Sequence, residues 1–476
     1  MADAPILKIR DASVFERRLK MRMPFRFGAA TVTEAAQIFL SIIVEDSQGR
    51  SATGVAAELM VPKWFDKNPS LSNADNEQQL RSSVHLAVKL VLEAPCASAF
   101  GIHAALEPQQ HTEAAAKGLN GLIASFGLAL VDRAVLDGLC RLRDMPLPDA
   151  LRANLPGIDL STTPDLAGFD VGNFLQTITP ERRLFLRHTI GYLDPLTPRQ
   201  IVGPRRDDGL PECLSEEIQA YGVHYFKLKV SGRPQEDTER LKEIAAVLDR
   251  LEDYRVTLDG NEQFPDEATV IELMDRIEKE PALARLRNSL LFVEQPINRA
   301  TALSEPVTHL ARRVALEIDE SDDSPDAFIR ARQQGYLGVS SKSCKGFYRS
   351  LLNKMRVQKW NAESAGGYFM SAEDLTTQAG IAVQQDLALA AVLNLGHVER
   401  NGHHYVDGMQ GASENENAAW LGAHADLYHE RQKRAYLTVQ KGCLSLDTVL
   451  AAKGLGVSDI AARETFHTLR EREVAA

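Results

Sequence analysis

No window of this sequence reaches the roughly 18 unbroken apolar residues of a membrane span. The opening residues up to Met21 are interrupted by Asp3, Lys8, Arg10, Asp11, Glu16 and Arg17, and so lack the apolar centre of a secretory signal. Cysteine is scarce: Cys96, Cys140, Cys213, Cys344 and Cys443 are odd in number, widely spaced, and form no Cys-x-x-Cys pair. That pattern argues against a disulfide framework and reads as thiols in a reducing compartment. Positive charge is in deficit, with a formal net charge of -11. A broad nucleic-acid or anionic-membrane footprint needs clustered Lys and Arg to displace counterions, so both partners are argued against. Low-complexity segments and short repeats are missing too. These absences lead us to expect a cytoplasmic protein acting on a small molecule, which a local cationic pocket could hold even if it is an anion.

The 476 residues, 44% hydrophobic and 25% charged, can bury a large core and exceed one ordinary domain. Residues 37–45 are rich in β-branched side chains and run into a turn-like Asp46-Ser47-Gln48-Gly49, which predicts a hairpin. Helical apolar spacing follows over 79–92 and 122–142. Residues 1–150 therefore read as an α+β domain. From Leu184 to about Glu399, short apolar runs alternate with amphipathic stretches, as in βαβ units. One such stretch carries Leu241, Ile244, Ala245, Leu248 and Leu251 on a single stripe. Eight strand ends are expected, near Ile190, Lys229, Asp259, Glu294, Asp319, Lys342, Glu373 and Glu399, spaced by about 30 residues, and eight units close a barrel. The expected fold is thus a TIM-type (β/α) barrel over 184–410 with an N-terminal α+β cap, completed by a tail over 411–476. In that tail, 436–439 reads as a strand returning to the first domain.

Barrel side chains alternate between interior and helices, and catalytic groups sit at carboxyl ends of strands. Around Lys227 and Lys229, the apolar Phe226, Leu228 and Val230 share the other face, so both lysines are expected to point inward. The same alternation turns Asp259, Glu294 and Asp319 inward at three successive strand ends, and Lys342 at the next. Three converging carboxylates are what a hard divalent cation needs: Mg²⁺, with Mn²⁺ as its substitute. A one-residue error in register would bring Glu317 or Glu320 into competition with Asp319. Partial burial and a neighbouring cation would lower the lysine pKa values toward that of a general base. Lys345 reads as a solvent-facing loop lysine.

These residues resemble the enolase superfamily, and within it the muconate lactonizing enzyme subgroup. The Lys-x-Lys at Lys227 and Lys229, the Asp-x-Asn at Asp259 and Asn261, the Glu-Gln-Pro at Glu294, the Asp-Glu-Ser at Asp319, and Lys342 occur in that family's order. The resemblance implies that Asp259, Glu294 and Asp319 bind Mg²⁺ and that Lys229 and Lys342 are bases on opposite faces of a carboxylate substrate. A lysine base with Mg²⁺ is the general pairing known for such sites. Lys227 would then support Lys229 and meet the substrate carboxylate, with Asn261 and Glu373 also in reach. It implies further that the first domain closes the barrel mouth, through candidate loops at 23–28, with Arg26, and 58–64, with Trp64. A homo-oligomer is common in the family. The eighth-strand segment around Glu399 lacks the Asp-x-Asp of dipeptide epimerases, and no Asp-His dyad of the mandelate racemase kind is present, since the sixth strand ends in Lys342 and His397, His403 and His404 come too late.

The expected activity is removal of the proton α to a carboxylate, giving racemisation, epimerisation, β-elimination or cycloisomerisation of a small acid. Two rivals stand beside it. Lys342 could form a Schiff base in an aldolase-type reaction, or the barrel could be a binding protein without catalysis.

Overall fold

A computed structural model describes residues 4–27, 30–364 and 366–472. Gly28, the end of one candidate cap loop, lies outside the described residues.

The chain begins with a three-stranded antiparallel meander, β1 (Leu7–Phe27), β2 (Ala30–Asp46) and β3 (Ser51–Met60). The predicted hairpin joins β2 to β3: Asp46 Oδ1 accepts from the Gln48 and Arg50 amides, and Gly49 takes a positive φ of 77°. Along β2, Ile38, Leu40, Ile42 and Val44 are buried on one face. Three helices cover the sheet, α1 (Asn73–Glu93), α2 (Ala99–Ala116) and α3 (Gly121–Leu142), so the two helical stretches seen in the sequence are joined by a third. The closest seam is between α3 and β3: a Cβ on Gly54 would stand 1.9 Å from the carbonyl oxygen of Ala134. Only glycine allows this approach.

The barrel is built from β4 (Arg183–Ile190), β5 (Tyr225–Lys229), β6 (Arg255–Asp259), β7 (Leu290–Glu294), β8 (Leu316–Ile318), β9 (Gly338–Ser341), β10 (Phe369–Glu373) and β11 (His397–Glu399). Each strand pairs in parallel with the next, and β11 pairs with β4, closing an eight-stranded cylinder. The striped helix is Pro234–Leu248, whose Leu241, Ile244, Ala245 and Leu248 are buried; Leu251 lies just beyond its end. Among the described residues, no helix is long and apolar enough to cross a membrane. All five cysteines are free thiols.

The tail departs from expectation in one respect. Residues of the segment 436–439 do not return to the cap. β13 (Arg434–Leu437) folds back on β12 (Tyr428–Arg431), because Gln432 and Lys433 both adopt positive φ, the backbone of a tight two-residue hairpin. β14 (Cys443–Ser445) then pairs antiparallel with β4, and it is β15 (Arg470–Arg472) that adds to the cap sheet beside β1. The fold is therefore a (β/α)₈ barrel with an N-terminal α+β cap whose sheet is completed from the tail.

Candidate active site

The register of the barrel sets its chemistry at one level. Lys229 pairs with Asp259 across β5 and β6, Asp259 with Glu294 across β6 and β7, and Glu373 with Glu399 across β10 and β11. Because neighbours in register on a closed barrel share a height, their inward side chains meet at the carboxyl end of the cylinder.

There the amino groups and carboxylates interlock. Lys227 Nζ donates to Glu294 Oε1 at 2.8 Å, Glu373 Oε2 at 3.0 Å and Glu399 Oε2 at 2.7 Å, and lies 2.9 Å from Asp259 Oδ2. Lys229 Nζ donates to Asp259 Oδ2 at 2.5 Å and to Asn261 Oδ1 at 2.6 Å. Lys342 Nζ donates to Asp319 Oδ2 at 2.5 Å and to Glu373 Oε2 at 2.7 Å. Asp319 Oδ1 also accepts from Ser340 Oγ at 2.5 Å, while Gln295 Oε1 holds the Asp319 amide at 2.9 Å.

Of the sequence candidates, Glu294 and Asp319 converge with Glu373: one oxygen of each lies within 4.8 Å of the other two. Asp259 is drawn aside by Lys227 and Lys229. Glu373 is buried behind Lys342, Lys227 and Arg187, and it does not line the mouth cavity, whereas Asp259, Asn261 and Asp319 do. Glu317 sits deeper, accepting from the Ser371 amide at 3.1 Å, and Glu320 faces Lys67 of the cap at 3.1 Å. Neither joins the converging trio.

The electrostatics follow from this crowding. Burial opposes the charge of Lys227, yet Asp259, Glu294, Glu373 and Glu399 together hold it protonated well above the ordinary lysine range. Lys342 is held up in the same way, against burial, by Asp319 and Glu373. Without a cation, the surrounding carboxylates outweigh burial at both amines. Burial together with Asp259 and Glu373 pushes the Glu294 carboxyl well up. Its Oε2 is enclosed and, among the described residues, has no hydrogen-bond partner. A buried oxygen without a donor, beside two further carboxylates, fits a hard cation: the donor set is all oxygen, and a divalent charge would relieve the mutual repulsion.

The mouth is narrow, about 40 Å³, space for a water or an ion. Lys227, Lys229, Asp259, Asp319, Lys342 and Glu399 form its floor, and Phe25, Val61, Trp64 and Leu375 its apolar walls. Trp64 is thus brought to the site, buried and in contact with Lys342. Arg26 is not: it is exposed and opens on a different cavity beside the loop after β4.

Several participants were missed in the sequence. Arg187 on β4 donates to Glu373 Oε1 at 3.0 Å; it shares inward parity with Thr189, so the alternation could have found it. Glu399 was recognised as a strand end only, yet it accepts from Lys227, from Asn401 Nδ2 at 2.8 Å and from Thr189 Oγ1. Lys345 is buried rather than solvent-facing, with Nζ 3.2 Å from Asp322 Oδ2 and donating to Ser340 Oγ at 2.9 Å. The short helical turn at Ser343–Lys345 folds it back under Asp319, and no local spacing signals that. Lys67 reaches from the cap to Glu320 and Glu262, a contact between domains that no local pattern encodes.

No family model and no curated protein sequence matches the chain. Solved structures do. A muconate lactonizing enzyme from Pseudomonas fluorescens, complexed with muconolactone, superposes with a TM-score of 0.61 at 16% identity, covering 97% of this chain and 99% of that one. A dipeptide epimerase from Enterococcus faecalis V583, complexed with Mg and a dipeptide, gives 0.58 at 14% identity, with 95% and 99% covered. A mandelate racemase/muconate lactonizing protein from Herpetosiphon aurantiacus gives 0.58 at 16%, with 94% and 98% covered. The chain shares the fold of the enolase-superfamily structures over nearly its whole length.

Proposed function

We propose that this chain is a metal-dependent isomerase or lyase that removes the proton α to the carboxylate of a small acid. One observation carries the reading. Lys229 on β5 and Lys342 just past the end of β9 are four strands apart in an eight-stranded barrel, hence on opposite sides, and both open on the same cavity. A planar enediolate between them would present one face to each amine.

Lys342, hydrogen-bonded to Asp319 and Glu373 on the cavity wall, is the group we assign to deliver a proton. Lys229, whose partners are one carboxylate and one amide, is the group we assign to take one. The α-proton moves to Lys229 Nζ, and Lys342 Nζ returns a proton from the far side, inverting the centre. Where Lys342 instead protonates a leaving group or stays idle, elimination or cycloisomerisation results. Lys227 remains a fixed positive charge beneath them, which orients the substrate carboxylate and supports Lys229.

Glu294 and Asp319 would hold the Mg²⁺, with Asp259 as third carboxylate, since it stands in register with Glu294 and lines the cavity beside Asp319. When bound, the ion supplies the charge that stabilises the enediolate, the largest barrier term in such chemistry. A Schiff base on Lys342 would leave the carboxylate cluster beside it without a role.

The test is incorporation of solvent deuterium at the α-carbon across a library of carboxylic acids in the presence of Mg²⁺. Exchange is expected in the native protein, with Lys229→Ala and Lys342→Ala each removing exchange on one face and the double variant removing both. Exchange that persists in the double variant would overturn the assignment.

A further inference from the structure

On the outward face of β4, away from the barrel mouth, three histidines surround one buried carboxylate. Arg187 and Thr189 point into the barrel, so His188 between them points out toward the helices. It meets Glu217 on the helix Leu214–Tyr221, and His403 and His404 on the short helix Gly402–Tyr405 that follows β11. His403 Nε2 is 3.2 Å from Glu217 Oε2, and His404 Nδ1 contacts Glu217 Oε1. One ligand atom from each of His188, Glu217 and His403 lies within 4.8 Å of the other two.

Hydrogen bonding alone does not account for the cluster. His188 is 4% exposed, and among the described residues neither its enclosed Nδ1 nor the Nδ1 of His403 has a hydrogen-bond partner. Leaving such a buried polar atom unpaired costs the hydration it lost with nothing in return. Glu217 is wholly buried, a carboxylate whose hydrogen-bond partners are two imidazoles rather than Lys or Arg.

We propose that His188, Glu217 and His403 hold a divalent ion of the zinc class, with His404 kept as the hydrogen-bond partner of the carboxylate. Two imidazoles and one carboxylate form a donor set that Zn²⁺ favours, with a water completing four-coordination. The all-oxygen cluster at the mouth suits a hard ion instead, so the two sites differ in preference. Of the three ligands, His188 lines a cavity of about 570 Å³ beside the loop after β4, so an ion would enter on the His188 side. The ion would tie together β4, the helix carrying Glu217 and the turn carrying His403. Arg22 of β1 docks on that same seam, donating to the His404 carbonyl at 2.9 Å and the Leu210 carbonyl at 3.0 Å. The site is therefore a brace between cap and barrel rather than part of the reaction.

The experiment uses the full chain, stripped by chelator and dialysed against Zn²⁺ with Mg²⁺ in large excess, and counts bound zinc by elemental analysis. One zinc per chain is expected, together with a higher melting temperature. Affinity should fall about tenfold or more in His188→Ala and in His403→Gln, and stay unchanged in Asp319→Asn. No uptake by the native chain, uptake undiminished in the histidine variants, or loss in Asp319→Asn would each overturn the proposal. Should the histidine variants fail to fold, X-ray absorption of the zinc-loaded native protein decides: imidazole scattering supports the site, and an oxygen-only shell rules it out.

Discussion

The ammonium of Lys342 stands 4.6 Å from the centroid of the Trp64 ring, so the sixth barrel strand and the cap meet as a cation on an aromatic face. This contact is worth about 0.5–2 kcal/mol, more where water is excluded. Trp64 also walls a cavity too small for an organic acid, so substrate must displace it or its neighbours. Trp64→Ala is expected to destabilise the fold by about 3–5 kcal/mol and to slow deuterium exchange, whereas Trp64→Phe retains most of both. Urea denaturation and exchange rates measured on the same samples check this.

Magnesium is expected to raise the unfolding midpoint. An ion at a hundredfold its dissociation constant adds about 2.7 kcal/mol, provided it binds the native state alone. Glu294→Gln and Asp319→Asn should abolish the response. Comparing Asp259→Asn with Glu373→Gln identifies the third ligand: the variant that loses the magnesium-dependent shift carried it.

Lys227 is expected to matter more for stability than its single charge suggests. Its ammonium is paired with four carboxylates inside the barrel, and removing one partner of a buried ion pair costs about 3–5 kcal/mol. Lys227→Met should show that loss in denaturant titrations without divalent ions. Added magnesium should restore part of it, because the ion then replaces the missing charge.

Acid should weaken the fold through buried histidines. Burial lowers the pKa of His424 to about 4, and its Nε2 accepts a hydrogen bond from the Ser458 amide at 3.2 Å. Burial acts likewise on His397, lowered to about 3 with Arg187 adding to the effect. Below the ordinary value of 6.5 the unfolded chain takes up protons that the folded one refuses. Stability from these groups is therefore complete above pH 6.5 and is lost as pH falls toward about 4 for His424 and about 3 for His397. His424→Asn is expected to flatten the slope of melting temperature against pH in this window; an unchanged slope would contradict the assignment.

What the sequence discloses here depends on the distance over which a pattern acts. Strand ends at Lys229, Asp259, Glu294 and Glu373 coincide with the ends of β5, β6, β7 and β10, because alternation and turn residues are local signals. Inward placement of Lys227 and Lys229 follows from Phe226 and Leu228 on the opposite face, both fully buried. Partner choice was harder to read. Whether Asp259 or Glu373 stands with Glu294 and Asp319 depends on which ammonium each carboxylate finds across the barrel. Lys345 was misjudged because a turn of one residue triplet reverses its direction, and 436–439 because two left-handed residues before it send the strand back on its neighbour.

The pairing of Val14, Phe15 and Glu16 with residues 470–472 has a consequence for biosynthesis. The outer edge of the N-terminal sheet stays open while more than four hundred further residues are made, since the strand that closes it follows the whole barrel in the chain. Arg17 reinforces this late closure by binding Glu416 and Thr468. A nascent or truncated chain would therefore expose an unpaired strand edge, the surface on which chains associate wrongly. The same stitch makes completion of the cap sheet wait on a segment that comes after every barrel strand.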